Sequence, residues 1–295
     1  MYTTNFSGLT TALITPFEKD LPDFTALEKI LEKQISAKAD AILLFGTTGE
    51  GLSLSLNEKK NIFLSAKRIL DDKIPIITCI SSPITHTAVE YLKEFEKWGS
   101  SAIMAITPFY YKCTQEGIVK HFSKLCENTQ LPIIVYNVPT RTSCDIFSMP
   151  LVLDYFNGCN QIVSIKQADS SLQSCLNSQN KTKKDLLCGN DKYIYECLNN
   201  GYSGVVSVIS NLFPAEIKQI ISLLNHNKKE EANKIFNSLT SILNILETLP
   251  NPITVKYAAK LLFGCNDDLR LPLTPPDQET KLKIIKEIIN YKENE

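Results

Sequence analysis

The sequence is short of the residues and runs that mark several classes of protein. Only three histidines occur in 295 residues and the nine cysteines form no C-x-x-C pair, so no spacing typical of a zinc site is present. The 31 basic and 32 acidic side chains nearly cancel, which leaves no charge excess for nucleic acid or an anionic membrane. No apolar run approaches the roughly 18 residues that span a bilayer. We therefore expect no metal, no nucleic-acid partner and no membrane partner.

The start of the chain and its cysteines bear on the compartment. The opening residues, MYTTNFSGLTTALITPF, lack the charged start and long apolar core of a signal peptide. An odd number of scattered cysteines favours reduced, mostly buried thiols, as in the cytosol. We therefore expect a cytoplasmic protein. Cys144 is the cysteine that we single out as a candidate reactive thiol, with inert packing as the alternative.

Short apolar strands alternate with amphipathic stretches along most of the chain. Eight such units fit within about 225 residues, and the strands are apolar on both faces, as in a buried parallel sheet. This pattern predicts a (β/α)8 TIM barrel rather than a doubly wound sheet, because no glycine-rich phosphate turn follows the first strand. The segments that hold the predicted strands are 9–17, 41–51, 74–82, 101–111, 131–139, 161–169, 185–191 and 204–214.

The last part of the chain has a different pattern. Three stretches, 229–246, 251–264 and 278–292, carry apolar residues at helical spacing with no strand between them. A polar junction precedes them at 225–228. We predict a barrel catalytic domain over residues 1–227 and a C-terminal helical domain over 228–295.

Two apolar strands end in groups that carry chemistry, at the edge where TIM-barrel enzymes place their active sites. The fifth predicted strand ends in Tyr136 and the sixth in Lys166. One interpretation of Lys166 is a structural ion pair with Asp169 or Asp191, since buried lysines are usually paired. The other is a Schiff-base nucleophile, because burial among apolar strands disfavours an ammonium group and favours the amine that attacks a carbonyl.

Other polar groups near the strand ends allow a similar choice. Tyr136 either caps the core with a hydrated hydroxyl or moves protons beside the amine. The segment containing Thr47 and Thr48 is either an ordinary turn or a run of backbone N–H groups that holds a carboxylate. Arg141 is either a surface charge or a clamp that binds a carboxylate through two parallel bonds. Together these groups favour covalent chemistry on a keto acid.

Three motifs carry a resemblance to a known family. GTTGEG at 46–51, YNVPTRT at 136–142 and IKQAD at 165–169 resemble the signatures of dihydrodipicolinate synthases. That family lies within the pyruvate-dependent class I aldolase superfamily, which also holds N-acetylneuraminate lyase, and the similarity runs along nearly the whole chain. The resemblance implies condensation of pyruvate with L-aspartate 4-semialdehyde to 4-hydroxy-tetrahydrodipicolinate, a step toward diaminopimelate and lysine.

The resemblance also implies catalytic roles. Lys166 would form the Schiff base with pyruvate. Tyr136 would relay protons with help from Thr47 and from Tyr110, which would reach in from a neighbouring subunit. It implies a homo-oligomer of at least two subunits, commonly a tetramer, and no metal or organic cofactor, because the imine itself serves as the electron sink.

Substrate-binding roles follow from the same resemblance. The backbone at Thr47 and Thr48 would hold the carboxylate of pyruvate, and Arg141 would hold the carboxylate of the semialdehyde. Gly189 and Val206 match positions that line the site near the lysine.

Two alternative functions stay open at this stage. A sister aldolase that cleaves N-acetylneuraminate or a 2-keto-3-deoxy sugar acid would share the Schiff base, but Arg141 argues against it, because sugar substrates call for hydroxyl-binding groups. A catalytically silent keto-acid-binding relative would commonly lose the lysine or the tyrosine, and this sequence retains Lys166 and Tyr136.

One region departs from the family pattern. Regulated members bind L-lysine at a subunit interface through histidines, an asparagine and a glutamate. The matching positions here hold Leu56, Lys59, Pro83 and Thr87, and Phe109 stands where a tyrosine is usual. The acceptors for an effector's ammonium group are therefore missing. We predict that L-lysine does not inhibit this protein.

Overall fold

The structure, a computed structural model, describes residues 6–293 of the chain. Eight parallel strands close into one barrel, in which each strand pairs with its neighbours in sequence and the eighth pairs with the first. The predicted (β/α)8 barrel is confirmed. The barrel strands are β1 Gly8–Ala12, β2 Ala41–Leu44, β3 Ile76–Ile80, β4 Ala102–Ile106, β5 Ile133–Asn137, β6 Ile162–Gln167, β7 Asp185–Cys188 and β8 Gly204–Ser207.

Helices surround the barrel and continue beyond it. Those that follow the strands are α1 Phe24–Ser36, α2 Leu56–Leu70, α3 Thr85–Trp98, α4 Gln115–Glu127, α5 Pro150–Gly158, α6 Leu172–Ser178, α7 Ile194–Asn199 and α8 Pro214–Asn225. The predicted C-terminal helices are α9 Lys229–Leu246, α10 Ile253–Phe263 and α11 Gln278–Glu293. A one-turn helix, Pro139–Thr142, follows β5, and a short hairpin pairs Phe17–Glu18 with Leu21–Pro22.

The period of two along each strand separates two apolar layers. On β5, Ile133 and Val135 belong to the cluster between strands and helices, whereas Ile134 and Tyr136 belong to the cluster inside the barrel. On β6, Ile165 lies in the outer cluster. The side chain that follows it, Lys166, therefore points into the barrel.

Some boundaries differ from the prediction, and each difference has a local cause. The first strand ends at Ala12 rather than Phe17, because the Ile14 N–H leaves the ladder and donates to the side-chain carbonyl of Asn211 at 2.9 Å. The junction before the C-terminal helices shortens to 226–228, because α8 extends to Asn225. The division into two domains at residue 227 stays a prediction. Across residues 6–293, none of the helices combines the length and apolar character that crossing a membrane requires.

Candidate active site

A cavity of about 240 Å³ lies at the carboxyl ends of the barrel strands. Most of the residues singled out from the sequence reach it. Its wall includes the predicted site residues Thr47, Thr48, Tyr136, Arg141, Lys166 and Gly189. The C-terminal helices close one side through Leu243, Leu246 and Thr254, so the cavity is built by both parts of the chain.

Lys166 and Tyr136 lie side by side because their strands pair. In the β5–β6 register Tyr136 is directly opposite Lys166, so main-chain hydrogen bonds fix their spacing. The Lys166 Nζ lies 4.2 Å from the centroid of the Tyr136 ring, and both residues are buried, with 6% and 7% of their surface exposed. An amine and a phenol therefore share one water-poor pocket.

The structure contradicts the interpretation of Lys166 as half of an ion pair with Asp169 or Asp191. Within residues 6–293, no carboxylate oxygen lies within 4.0 Å of its Nζ. The Asp191 carboxylate instead accepts the backbone N–H groups of Val208 and Ile209, at 2.9 and 2.7 Å. Asp169 accepts from Ser171 and Ser174. Burial raises the pKa of Asp191, which also lines the cavity, so this carboxyl resists ionisation beside the lysine.

Gly189, at the end of β7, makes room for the lysine. A Cβ at this position would lie 2.8 Å from Cε of Lys166 and 2.8 Å from Cβ of Ala168, closer than side-chain carbons pack. The absence of a side chain therefore lets the lysine pass to the cavity. The predicted role of Gly189 near the lysine agrees with this close approach.

The turn after β2 presents backbone donors to the cavity. In the described part of the chain the N–H groups of Thr47 and Thr48 donate to no acceptor, while the carbonyl of Thr47 accepts from the Glu50 N–H. The hydroxyl of Thr48 accepts a 3.0 Å hydrogen bond from the side-chain amide of Asn251, which precedes α10. Two free N–H groups at a cavity wall can bind a carboxylate.

A buried ion pair between Lys256 of α10 and Glu50 supports the turn after β2. The Lys256 Nζ on α10 contacts Oε1 of Glu50 at 2.5 Å, and the side chains are 0% and 2% exposed. Glu50 also accepts from the backbone N–H of Arg270, and Lys256 donates to the carbonyl of Asp268 at 2.6 Å. Glu50 has a left-handed φ of 50°, a conformation that a glutamate adopts only when contacts of this kind hold it. The C-terminal helices therefore set the shape of the turn.

Arg141 lies in the one-turn helix after β5, at the exposed rim of the cavity. Asn137 anchors this segment: its amide donates to Gln167 at 2.7 Å and to Asp145 at 3.2 Å, and its carbonyl accepts from the Ile146 N–H. Within residues 6–293 the Arg141 guanidinium forms no ion pair. It is therefore free to bind an anionic ligand.

Two of the predicted site residues are not brought to the cavity wall. Tyr110 is 90% exposed and has a left-handed φ of 70°, so it points away from this site in its own chain. Val206 is fully buried inside the barrel, and Val208 lines the cavity instead. Thr47 and Tyr136 share the cavity, but within the described chain their hydroxyls share no hydrogen bond.

Comparison with protein families identifies the group to which this architecture belongs. The model of the dihydrodipicolinate synthetase family matches residues 5–291. The chain belongs to this family. The match takes in the barrel, all three motifs and most of the C-terminal helices.

Individual members of the family show the same extent of similarity. The chain is 40% identical over 286 residues to the 4-hydroxy-tetrahydrodipicolinate synthase of Rickettsia bellii (strain OSU 85-389), with 96% of each chain covered. The dihydrodipicolinate synthase structure from Thermotoga maritima has a TM-score of 0.93 at 29% identity and covers 97% of this chain and 99% of its own. The Acinetobacter baumannii enzyme, solved in complex with pyruvate, gives a TM-score of 0.89 at 29% identity, over 97% and 99%.

The C-terminal helices contribute to the cavity in a way that the sequence motifs do not indicate. Asn251 and Lys256 contact the turn after β2 from more than 200 positions away in sequence. One signal was available: Lys256 is one of two lysines in the largely apolar stretch ITVKYAAKLLF, and unlike Lys260 it is fully buried. A lysine in such a stretch needs a buried partner, but the sequence alone does not say which one.

Proposed function

We propose that this protein condenses pyruvate with L-aspartate 4-semialdehyde, which gives 4-hydroxy-tetrahydrodipicolinate and water in diaminopimelate and lysine biosynthesis. The observation that carries the proposal is the buried amine of Lys166, which has a phenol ring 4.2 Å away and lies at the wall of the cavity. Membership of the dihydrodipicolinate synthetase family points to the same reaction.

Lys166 supplies the nucleophile. Its neutral amine attacks the keto carbon of pyruvate, and the oxygen leaves as water to give an imine. Removal of a proton from the methyl carbon converts the imine to an enamine, whose carbon attacks the aldehyde of the second substrate. The amine of that substrate then attacks the imine carbon, which closes the ring and releases Lys166.

Tyr136 moves the protons that these steps require. Its ring packs beside the amine of Lys166, and we therefore assign its hydroxyl as the acid and base of these steps. We assign Thr47 and a neighbouring subunit's copy of Tyr110 to the relay that connects this hydroxyl to solvent. The exposed, left-handed position of Tyr110 supports donation across an interface.

Two groups orient the substrates. The free N–H groups of Thr47 and Thr48 bind the carboxylate of pyruvate, and the unpaired guanidinium of Arg141 binds the carboxylate of the semialdehyde. Gly189 keeps the path of Lys166 open, and Val206 contributes to the apolar packing inside the barrel.

The assembly that we propose is a homo-oligomer of at least two subunits, with a tetramer as the expected state. A second cavity of about 360 Å³ adjoins the first and shares Thr47 and Arg141 with it. Its rim carries Leu52 and Leu271, which are 71% and 81% exposed. Large apolar side chains grouped in this way favour an interface. We place the protein in the cytoplasm, where nine thiols without a disulfide are stable.

Borohydride trapping tests the Schiff base. Pyruvate and borohydride should add the mass of a reduced pyruvate adduct to Lys166, and trypsin should then fail to cleave after this residue. The labelled peptide would run from Thr142 to Lys181 rather than ending at Lys166. A Lys166→Ala variant should take no label. Label on another lysine, or none on the wild type, would overturn the assignment.

Two further variants separate proton transfer from substrate binding. Tyr136→Phe should lower kcat by about 100- to 10,000-fold, because it removes the acid and base. Arg141→Leu should leave pyruvate trapping intact and raise the KM for the semialdehyde by about 100-fold, the loss of a charge-assisted pair of hydrogen bonds. Turnover of N-acetylneuraminate in place of the semialdehyde would instead assign the protein to a sister aldolase.

A further inference from the structure

Two cysteines outside the active site lie close enough to react with each other. Cys126 is near the end of α4, and Cys159 directly follows α5. Their sulfur atoms are 3.7 Å apart, and both residues are partly exposed. They come from different helices, 33 positions apart in sequence, so the fold itself brings them together.

The surrounding contacts hold the two segments close together. Cys159 and Cys126 lie on the segments that lead into β6 and β5, at the opposite end of the barrel from the cavity. The side-chain amide of Gln161 donates to the carbonyls of Thr129 and Leu131, at 2.6 and 3.1 Å, and so ties the two segments together. Lys184 donates to the carbonyl of Cys159 at 2.7 Å. These hydrogen bonds therefore keep the two sulfur atoms next to each other.

The two thiols are chemically unequal. The hydrogen bond between the two sulfurs, together with the backbone N–H groups of Ile162 and Gln161, lowers the pKa of Cys159 to about 5 despite its partial burial. The same contact, with burial, raises the pKa of Cys126. The pKa of Cys159 therefore lies below that of Cys126, so Cys159 is the more easily deprotonated of the two thiols.

We propose that Cys126 and Cys159 form a redox-active dithiol, which a hydroperoxide oxidises to a disulfide with Cys159 as the attacking sulfur. The Cys159 thiolate attacks a peroxide oxygen and the O–O bond breaks, which gives a sulfenic acid and an alcohol or water after protonation. The Cys126 sulfur then attacks the sulfenic sulfur, the S–O bond breaks, and the oxygen leaves as water. Two thiols lose two electrons to one peroxide.

The geometry suits the second step. An S–S bond is about 2.05 Å long, so the sulfurs must close by roughly 1.7 Å, which segment ends outside the strands can accommodate. Cys144, the cysteine singled out from the sequence, is a poorer candidate. Its thiol donates to the sulfur of Met149 at 3.8 Å, and burial raises its pKa to about 11. The expectation of inert packing therefore suits Cys144 better than that of a reactive thiol.

Peptide mapping after peroxide treatment tests the proposal on the full chain. Hydrogen peroxide, followed by alkylation and trypsin without reductant, should yield Leu125–Arg141 linked to Thr142–Lys166. The second peptide also contains Cys144, so a Cys144→Ser variant must give the same link. The link must disappear on treatment with a dithiol reductant. A Cys113→Ser variant is the matched control, because Cys113 is also partly exposed but its sulfur has no hydrogen-bond partner among residues 6–293. The link between Cys126 and Cys159 should persist in this variant.

Single-cysteine variants distinguish the roles of the two sulfurs. With Cys126→Ser, oxidation should stop at the sulfenic acid, which dimedone traps on Cys159. With Cys159→Ser, Cys126 should remain alkylatable at the same peroxide dose. Oxidation of the wild type should also raise the melting temperature by about 5 °C, because the bond closes a loop of 33 residues in the unfolded chain.

Three results would overturn the proposal. Both thiols could stay fully alkylatable at a peroxide dose that oxidises an unstructured peptide thiol. Cys159 could accumulate as sulfinic acid with no link to Cys126. The link could join Cys144 instead, as shown by its loss in Cys144→Ser. None of these depends on the reaction proposed for the barrel cavity.

Discussion

Replacement of Lys256 by methionine tests whether the C-terminal helices stabilise the turn that faces the cavity. The side chain is fully buried, donates to Glu50 at 2.5 Å and lies 4.2 Å from the centroid of the Phe17 ring. Methionine keeps much of the apolar packing but leaves the Glu50 carboxylate, among residues 6–293, with only the Arg270 N–H as a donor, at 3.1 Å. Removing one partner of a buried pair costs about 3 to 5 kcal/mol.

For a chain of 295 residues, the entropy of unfolding converts this loss to a melting temperature about 5 to 8 °C lower. Thermal unfolding followed by circular dichroism measures it directly. The KM for pyruvate should rise in the same variant by about tenfold, equivalent to about 1.4 kcal/mol, because the turn with Thr47 and Thr48 loses its support. The kcat at saturating pyruvate should change much less.

Two controls decide whether burial is the cause. Lys260→Met removes a lysine one turn further along α10. Lys260 pairs with Asp267 at 2.6 Å, but its side chain is 46% exposed. The loss in the free energy of unfolding should therefore be at most about 1 kcal/mol. Adding Glu50→Gln to Lys256→Met removes the stranded charge and should recover at least half of the loss. Equal losses for Lys256→Met and Lys260→Met, or no recovery in the double variant, would refute the reasoning.

Three further predictions follow from individual positions. Gly189→Ala places a methyl group 2.8 Å from Cε of Lys166, so the rate of pyruvate trapping should fall about tenfold or more and stability by about 1 to 3 kcal/mol. His121, which shares a hydrogen bond with Thr85, has its pKa lowered to about 4 by burial, below the usual 6.5. The unfolded chain therefore binds a proton at a higher pH than the folded chain does. The free energy of unfolding should fall as the pH is lowered from 6.5 toward 4, by about 2 kcal/mol near pH 4.5. Urea unfolding of His121→Gln should show no such decrease in that pH range. Millimolar L-lysine should leave the condensation rate unchanged, because the buried ammonium of Lys59 repels a second one in that region; half-inhibition in a coupled assay would contradict this.

The barrel and the proximity of Lys166 to Tyr136 could be predicted because both depend on local pattern. Alternating strand and helix segments admit few topologies, and parallel strands place their carboxyl ends at one edge. Lys166 and Tyr136 each end a strand, and adjacent strands pair along the chain. Their proximity therefore follows from the topology, once the strand register is known.

Other features depend on contacts that no local pattern specifies. Glu50 and Lys256 are 206 positions apart, and their pairing requires the C-terminal helices to fold back over the barrel mouth. The left-handed backbone at Tyr110 is equally invisible in the sequence, because tyrosine rarely adopts it. Cys126 lies in α4 and Cys159 directly follows α5, and the packing of these two helices brings the sulfurs together.

The pairing of β5 with β6 places the proposed catalytic residues on a different part of the fold from the proposed substrate-binding residues. The proposed nucleophile and proton carrier are spaced by the main-chain hydrogen bonds between these strands, whereas the groups that we propose to bind carboxylates come from a turn and a one-turn helix at the rim. A change of acceptor aldehyde would therefore require rebuilding only the rim. The pairing of β5 with β6 would keep Lys166 and Tyr136 in place through such changes. The sequences of relatives with new substrates should therefore diverge first at the rim.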